Sequence, residues 1–168
     1  MGVLESWLIL VPGKGQSKEM VKKIRWNLRE QVMALPQNEK CFPPISCFLM
    51  NIIIWNSRGA LEPNFQPHVR ELVQNHNPAI MVIMETCLGG NRAKEITYRL
   101  PFDSAIHTDT IGRAGGLWLL WNSDRVEVNH LASTEQEIHA IVKVCSSDFS
   151  WWFTAVYASP RLVERSIL

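Results

Sequence analysis

From Asn51 to Gly59 the chain reads Asn-Ile-Ile-Ile-Trp-Asn-Ser-Arg-Gly, an apolar run that gives way at once to polar residues. An unbroken run of this kind predicts a strand covered on both faces, not one half exposed to water. Gly59 permits a tight turn after it. A second run, Ala79 to Met84, is apolar throughout and stops at Glu85-Thr86. Between them, Phe65 to Asn75 predicts a helix with Val69, Leu72 and Val73 inward. Pro67 is tolerated in its first turn and Asn77-Pro78 closes it. A strand, a helix and a strand of these lengths make a βαβ unit, whose strands run parallel and side by side. In open α/β sheets the ligand crevice lies at the carboxyl ends of the strands. Asn56 and Glu85 are therefore expected to face one crevice.

Asn91 to Leu100 predicts a short helix ended by Pro101, after which the pattern turns to strands. These are Phe102–Thr108, Leu117–Trp121, Arg125–Leu131, Ile138–Val144 and Trp151–Tyr157, with partial alternation in the third and fourth. Asn122-Ser123-Asp124 and Ser146-Ser147-Asp148 supply turn residues. Pro160 breaks the last strand, and Arg161 to Leu168 begins a helix or simply ends the chain.

Upstream, Met20, Val21, Ile24, Leu28, Val32 and Leu35 fall at helical spacing, and Ser17 can cap a helix from Ser17 to about Leu35. Lys18, Lys22, Lys23, Arg25 and Arg29 lie on its other face, either as a solvated surface or as a contact for nucleic acid or membrane. Pro36 to Cys47, with Pro43-Pro44, reads as a linker. The expected organisation is an N-terminal extension at 1–49, with one amphipathic helix, and a domain at 50–168.

Composition narrows the classes. At 168 residues, 46% hydrophobic and 20% charged, the chain can build a packed core. Cys41, Cys47, Cys87 and Cys145 form no C-x-x-C pair and read as free thiols. No apolar run approaches the roughly 20 residues of a membrane span, and Trp7–Val11 is too short for a signal-peptide core. A nuclear or cytoplasmic location is expected. Met1–Ser6 fits the loose myristoylation pattern without a second anchor. Pro12-Gly13-Lys14-Gly15 lacks the spacing of a phosphate loop. Residues 1–49 carry seven Lys/Arg against four Asp/Glu, or +3, and residues 50–168 carry ten against twelve, or −2. Charge alone therefore does not point to nucleic acid.

Four motifs in order change the picture: Trp55-Asn56-Ser57-Arg58-Gly59, Glu85-Thr86, Gly115-Gly116-Leu117-Trp118 and Val156-Tyr157-Ala158-Ser159-Pro160. From about Met50 onward the chain resembles the endonuclease/exonuclease/phosphatase superfamily. Within it, the chain is most similar to the apurinic-type endonuclease of plant LINE-type (non-LTR) retrotransposons. The resemblance implies an α/β fold, the N-terminal half of a four-layer α/β sandwich, and cleavage of a DNA phosphodiester with Mg²⁺.

It also implies roles. Glu85 matches the metal-binding glutamate, and a hard cation such as Mg²⁺ takes carboxylate oxygen. Asn56 matches the asparagine that supports metal and phosphate, and a neutral amide can orient either water or phosphate. Tyr157 matches a tyrosine that contacts phosphate. Arg58 stands where the DNA-repair members often have an acidic residue; it cannot ligate a metal but can contact backbone phosphate. Each has a plainer reading: a capping or solvated Glu85, a turn residue at Asn56, a strand-end Tyr157 with an ordinary partner. The five histidines fall in no family motif.

The family pattern continues with Asp-x-Asn and Ser-Asp-His, which supply a base, a further metal carboxylate and a phosphate-binding histidine. This sequence contains neither after Tyr157. The expectation is a truncated domain, inactive alone and lacking its second sheet. The alternatives are a non-catalytic fold fragment or interaction module, and a phosphomonoesterase or RNA deadenylase of the same superfamily.

Overall fold

The computed structural model describes residues 6–12, 21–27, 49–110, 115–147 and 149–158. In chain order these form β1 (Ser6–Pro12), β2 (Val21–Asn27), β3 (Leu49–Asn56), α1 (Phe65–His76), β4 (Ile80–Met84), α2 (Gly90–Thr97), β5 (Ser104–His107), β6 (Leu117–Trp121), β7 (Val126–Ser133), β8 (Glu137–Val144) and β9 (Ser150–Ala158). The strands build two mixed sheets, in the orders β2-β3-β4-β6-β5 and β1-β9-β8-β7.

The apolar runs of β3 and β4 are explained by what covers them. Side chains alternate between faces along a strand. Ile52, Ile54, Val82 and Met84 join Leu117 and Leu119 of β6 in a core shared with Val126, Ile138, Val142, Phe153 and Tyr157 of the other sheet. Ile53, Trp55, Met81, Ile83, Trp118 and Leu120 face the opposite way and pack on Phe65, Val69 and Leu72 of α1 and Ala93 of α2. The five-stranded sheet is thus the middle of three described layers, with helices on one side and the four-stranded sheet on the other. β3 and β4 are parallel, with Asn56 opposite Met84, as the βαβ spacing predicts.

Local chemistry sets the helix ends. Asn77 closes α1 in the left-handed region at φ 42°, and its N–H donates to the Val73 carbonyl at 2.8 Å. Asn tolerates that conformation better than most residues, and the proline after it stops the helix. In α2 the Thr97 hydroxyl donates to the Ala93 carbonyl at 3.0 Å. Among the described residues no helix is long and apolar enough to cross a membrane.

Two expectations are corrected. First, Val21–Asn27 is not the middle of a helix over Ser17–Leu35 but an antiparallel strand paired with β3, Ile24 opposite Ile52. The outer edge of β3 otherwise presents a row of unpaired backbone groups, and a seven-residue partner satisfies it. Tertiary pairing overrides helical spacing here. Second, a second sheet is present. β7, β8 and β9 form an antiparallel run, and β1 joins β9 in parallel, Leu8 opposite Thr154. This sheet covers the apolar face of the first, because the faces carrying Val142 and Ile54 have nowhere drier to go. The hydrogen-bonded framework therefore crosses the boundary placed at residue 49. The expected linker at 36–47, the ends of the expected helix (17–20 and 28–35), the loop at 13–15, most of the myristoylation pattern (1–5) and the segment 159–168 lie outside the described residues. So do Cys41 and Cys47; Cys87 Sγ donates to the Glu85 carbonyl at 3.5 Å, and Cys145 is a free thiol.

Candidate functional site

At the carboxyl end of the five-stranded sheet three loops are laced together by their backbones. Ser57 donates its N–H to the Met84 carbonyl at 2.9 Å and its hydroxyl to the same oxygen at 3.0 Å. Ala60 N–H donates to the Thr86 carbonyl at 2.8 Å. The loop after β4 is held in turn by the segment before β6: Thr86 N–H donates to Gly116 at 3.2 Å and Cys87 N–H to Gly115 at 2.9 Å. Gly116 is required there. Its φ is +86°, and an added Cβ collides with Thr86 Oγ1 while lying 2.9 Å from Thr110 Cγ2 and 3.2 Å from Cys87 N.

This rim is strained. Four non-glycine residues among those described have positive φ, and three of them are here: Arg58 at 58°, Glu85 at 53° and Cys87 at 56°. Each such residue costs on the order of 1–3 kcal/mol and persists only where its surroundings over-determine it, as at ligand sites. The loop lacing above is what over-determines these three.

Glu85 and Tyr157 meet in this setting. Glu85 follows β4 and Tyr157 stands near the end of β9, so they come from different sheets. Tyr157 Oη donates to Glu85 Oε1 at 3.2 Å. Both residues are 4% exposed. Among the described residues Tyr157 is the only hydrogen-bond partner of the Glu85 side chain. A buried carboxyl with a single protein partner retains acceptor capacity for another donor or a cation.

Asn56 sits beside Glu85 at the ends of adjacent strands, which lie about 4.8 Å apart. Its side-chain oxygen accepts the Arg58 N–H at 3.2 Å, two residues on. That is the turn role, and it shapes the left-handed backbone at Arg58. The amide NH₂ remains as a donor. Arg58 itself is exposed, and among the described residues its guanidinium makes no ion pair. The structure thus joins Glu85 and Tyr157 by a hydrogen bond and puts Asn56 at the end of the adjacent strand, with Arg58 exposed on the rim. Sequence reading gave no role to Ser57 and Thr86, which it met only inside motifs because their roles depend on contacts between loops, and it missed Gln136, which stands opposite Tyr157 and belongs to no motif.

Two histidines are engaged elsewhere. His107 Nε2 lies 3.0 Å from Thr97 Oγ1, with its ring edge-on to Trp118. His139 lies between Glu137 Oε2 at 2.9 Å and Thr154 Oγ1 at 3.1 Å. Among the described residues no group of three or more His, Cys, Asp or Glu is placed to hold a metal ion.

No protein-family model and no curated protein sequence matches the chain. Solved structures do. The AP endonuclease LMAP from Leishmania major is similar at a TM-score of 0.51 and 11% identity, over 64% of this chain and 40% of that one. The humanized D. rerio TDP2 carrying 14 mutations aligns at a TM-score of 0.41 and 15% identity, over 66% of this chain and 49% of that one, below the level at which a shared fold can be argued. At these identities the first likeness bears on the fold alone. The chain shares the α/β fold of the aligned part of that structure. The aligned region spans less than half the length of either structure.

Proposed function

We propose that residues 50–168 form part of a retrotransposon-derived, Mg²⁺-dependent DNA endonuclease domain, to which 1–49 adds edge strands. The observation that carries this reading is the 3.2 Å bond between Tyr157 and Glu85, two motif residues 72 positions apart joined at a strained rim. The donor types fit the cation in kind: Glu85 would hold Mg²⁺ through carboxylate oxygen, with Asn56 beside it. Bound there, the ion would neutralise charge on a phosphodiester. Tyr157 and the Asn56 amide would orient the phosphate, and Arg58 would contact the flanking backbone.

A second reading has its own support. With a single buried carboxylate at the crevice and no three-residue metal group among those described, the chain by itself would turn over slowly or not at all. It would then act as a non-catalytic fragment or interaction module. A phosphomonoesterase or RNA deadenylase would share Asn56 and Glu85, but Arg58 and the Tyr157 motif favour DNA phosphodiester.

The test pairs binding with cleavage. The whole chain is incubated with supercoiled plasmid and Mg²⁺ beside Glu85→Ala, and its affinity for a short duplex is measured against Arg58→Ala across salt concentrations. Nicking at or barely above the Glu85→Ala background is expected. Duplex binding should weaken in Arg58→Ala, with the salt slope reduced by about 1. Binding indifferent to Arg58, with no nicking, leaves the interaction-module reading; duplex RNA cleaved in preference to DNA moves the substrate class.

A further inference from the structure

The turn between β7 and β8 places a residue with an unpartnered, buried side-chain oxygen opposite Tyr157. Gln136 stands opposite Tyr157, whose N–H donates to the Gln136 carbonyl at 2.8 Å, one step beyond the Glu137–Val156 pair. Facing residues on antiparallel strands project to the same side, with Cβ atoms about 4.5–5.5 Å apart. Tyr157 points into the core between the sheets, where it meets Glu85, so Gln136 projects that way too. Its Oε1 is buried and makes no hydrogen bond.

The backbone of this turn is held in place. Thr134 Oγ1 accepts the N–H of Gln136 at 3.3 Å and of Glu137 at 3.1 Å, and Thr134 N–H donates to the Glu137 carbonyl at 2.9 Å. The hydroxyl of Thr108, itself 3% exposed, donates to the Glu135 carbonyl at 3.4 Å and accepts the Leu117 N–H at 2.9 Å. The turn is thereby tied to the strand that follows Gly115-Gly116. The turn backbone is fixed beside Tyr157, and the buried amide oxygen of Gln136 is left unsatisfied. Buried polar groups in folded proteins are nearly always bonded, and an exception points to a water or ion outside the chain.

We propose that Gln136 is a positioning residue of the Glu85–Tyr157 crevice, its amide oxygen accepting a hydrogen bond from water in the hydration shell of a divalent cation at Glu85. This rests on the Mg²⁺ reading above. Mg²⁺ keeps several of its waters and binds through one or two carboxylates. Such waters are strong donors, and a buried acceptor with no donor of its own is their complement. Partners beyond the direct ligands orient the ion's shell and typically contribute 10–100-fold to its affinity.

The probe is Mn²⁺ alone, added to the full-length chain and followed by loss of the free-ion electron paramagnetic resonance signal. Wild type, Glu85→Gln, Gln136→Ala and Gln136→Glu are compared after circular dichroism has shown each to be folded. The expected order is Gln136→Glu tightest, wild type next, Gln136→Ala roughly 10–100-fold weaker than wild type, and Glu85→Gln weakest. Should Gln136→Ala fail to fold, the near-isosteric Gln136→Glu carries the test. Wild-type affinity in both Gln136 variants, with loss in Glu85→Gln, overturns this proposal and leaves the Glu85 reading standing. Wild-type binding no better than Glu85→Gln overturns both.

Discussion

Tyr157 of the four-stranded sheet donates its hydroxyl to Glu85 at the end of the five-stranded sheet, a 3.2 Å bond between residues that are each 4% exposed. It clips the two sheets together at one end. A hydrogen bond to a carboxylate contributes about 1.5–3 kcal/mol, and removing one partner leaves the other buried. Tyr157→Phe should therefore lose roughly that much in urea unfolding, while Glu85→Gln, which keeps an acceptor, should lose less. A Tyr157→Phe protein as stable as wild type would show that the clip contributes nothing.

The glycines before β6 and at the start of α2 make a matched pair. Gly116 has φ +86° and no room for a Cβ, whereas Gly90 has φ +58° with nothing within 4 Å. Left-handed backbone costs an alanine about 1–2 kcal/mol. Overpacking adds about 1–3 kcal/mol. Gly90→Ala is expected to show the first cost alone and Gly116→Ala both, measured by denaturant midpoint at constant slope. Gly116→Ala should also disturb Glu85, since the collision falls on the neighbouring Thr86.

Trp118 anchors the helix-facing core. It is fully buried, meets Phe65 edge-on at 5.8 Å, and donates Nε1–H to the Leu88 carbonyl at 3.2 Å. Trp118→Ala should cost about 3–5 kcal/mol. Tyr98→Ala, at a residue 92% exposed, should stay within about 0.5 kcal/mol of wild type. Thermal unfolding of the two variants side by side tests the contrast.

His107 predicts a pH dependence. Burial, with the Lys94 charge adding to it, holds its imidazole below the ordinary 6.5. The native state then binds fewer protons than the unfolded state between the lowered value and 6.5, so stability rises with pH across that window. Above 6.5 the contribution is fully present; below it the contribution is lost as the pH falls. His107→Asn should narrow the stability difference between pH 7.5 and pH 5.5 relative to wild type, by urea titration at both. An unchanged difference would exclude His107 as a source.

How much of this was legible depends on where each element's reasons lie. β3, β4, α1 and α2 were readable because their patterns are local: Ile52–Trp55 and Ile80–Met84 are too apolar for anything but a doubly covered strand, and Phe65, Val69 and Leu72 recur at helical spacing. β2 was not, because Val21, Ile24 and Leu28 also fit a helix, and only β3's open edge decides between them. β7, β8 and β9 were read as strands but not as a sheet of their own, and β1 was missed because its partner lies far along the chain. At the site, Asn56 and Glu85 were placed by strand ends alone. The bond from Tyr157 to Glu85 and the unpaired amide oxygen of Gln136 depend on sheet packing and register, which spacing along the chain does not encode.

β1 carries one more consequence, for synthesis. Its first residue, Ser6, stands opposite Trp152, and the strand lies parallel to β9. The first described strand must wait for the last described one before any of its pairing can form. Closing so large a loop is slow, although its entropic cost grows only with the logarithm of length. In the interval the Trp-Leu-Ile-Leu-Val segment of β1 is an unpaired apolar strand, the kind of sequence that aggregates or recruits chaperones. Nascent chains stalled before residue 150 should therefore be held by chaperones more than chains released at full length.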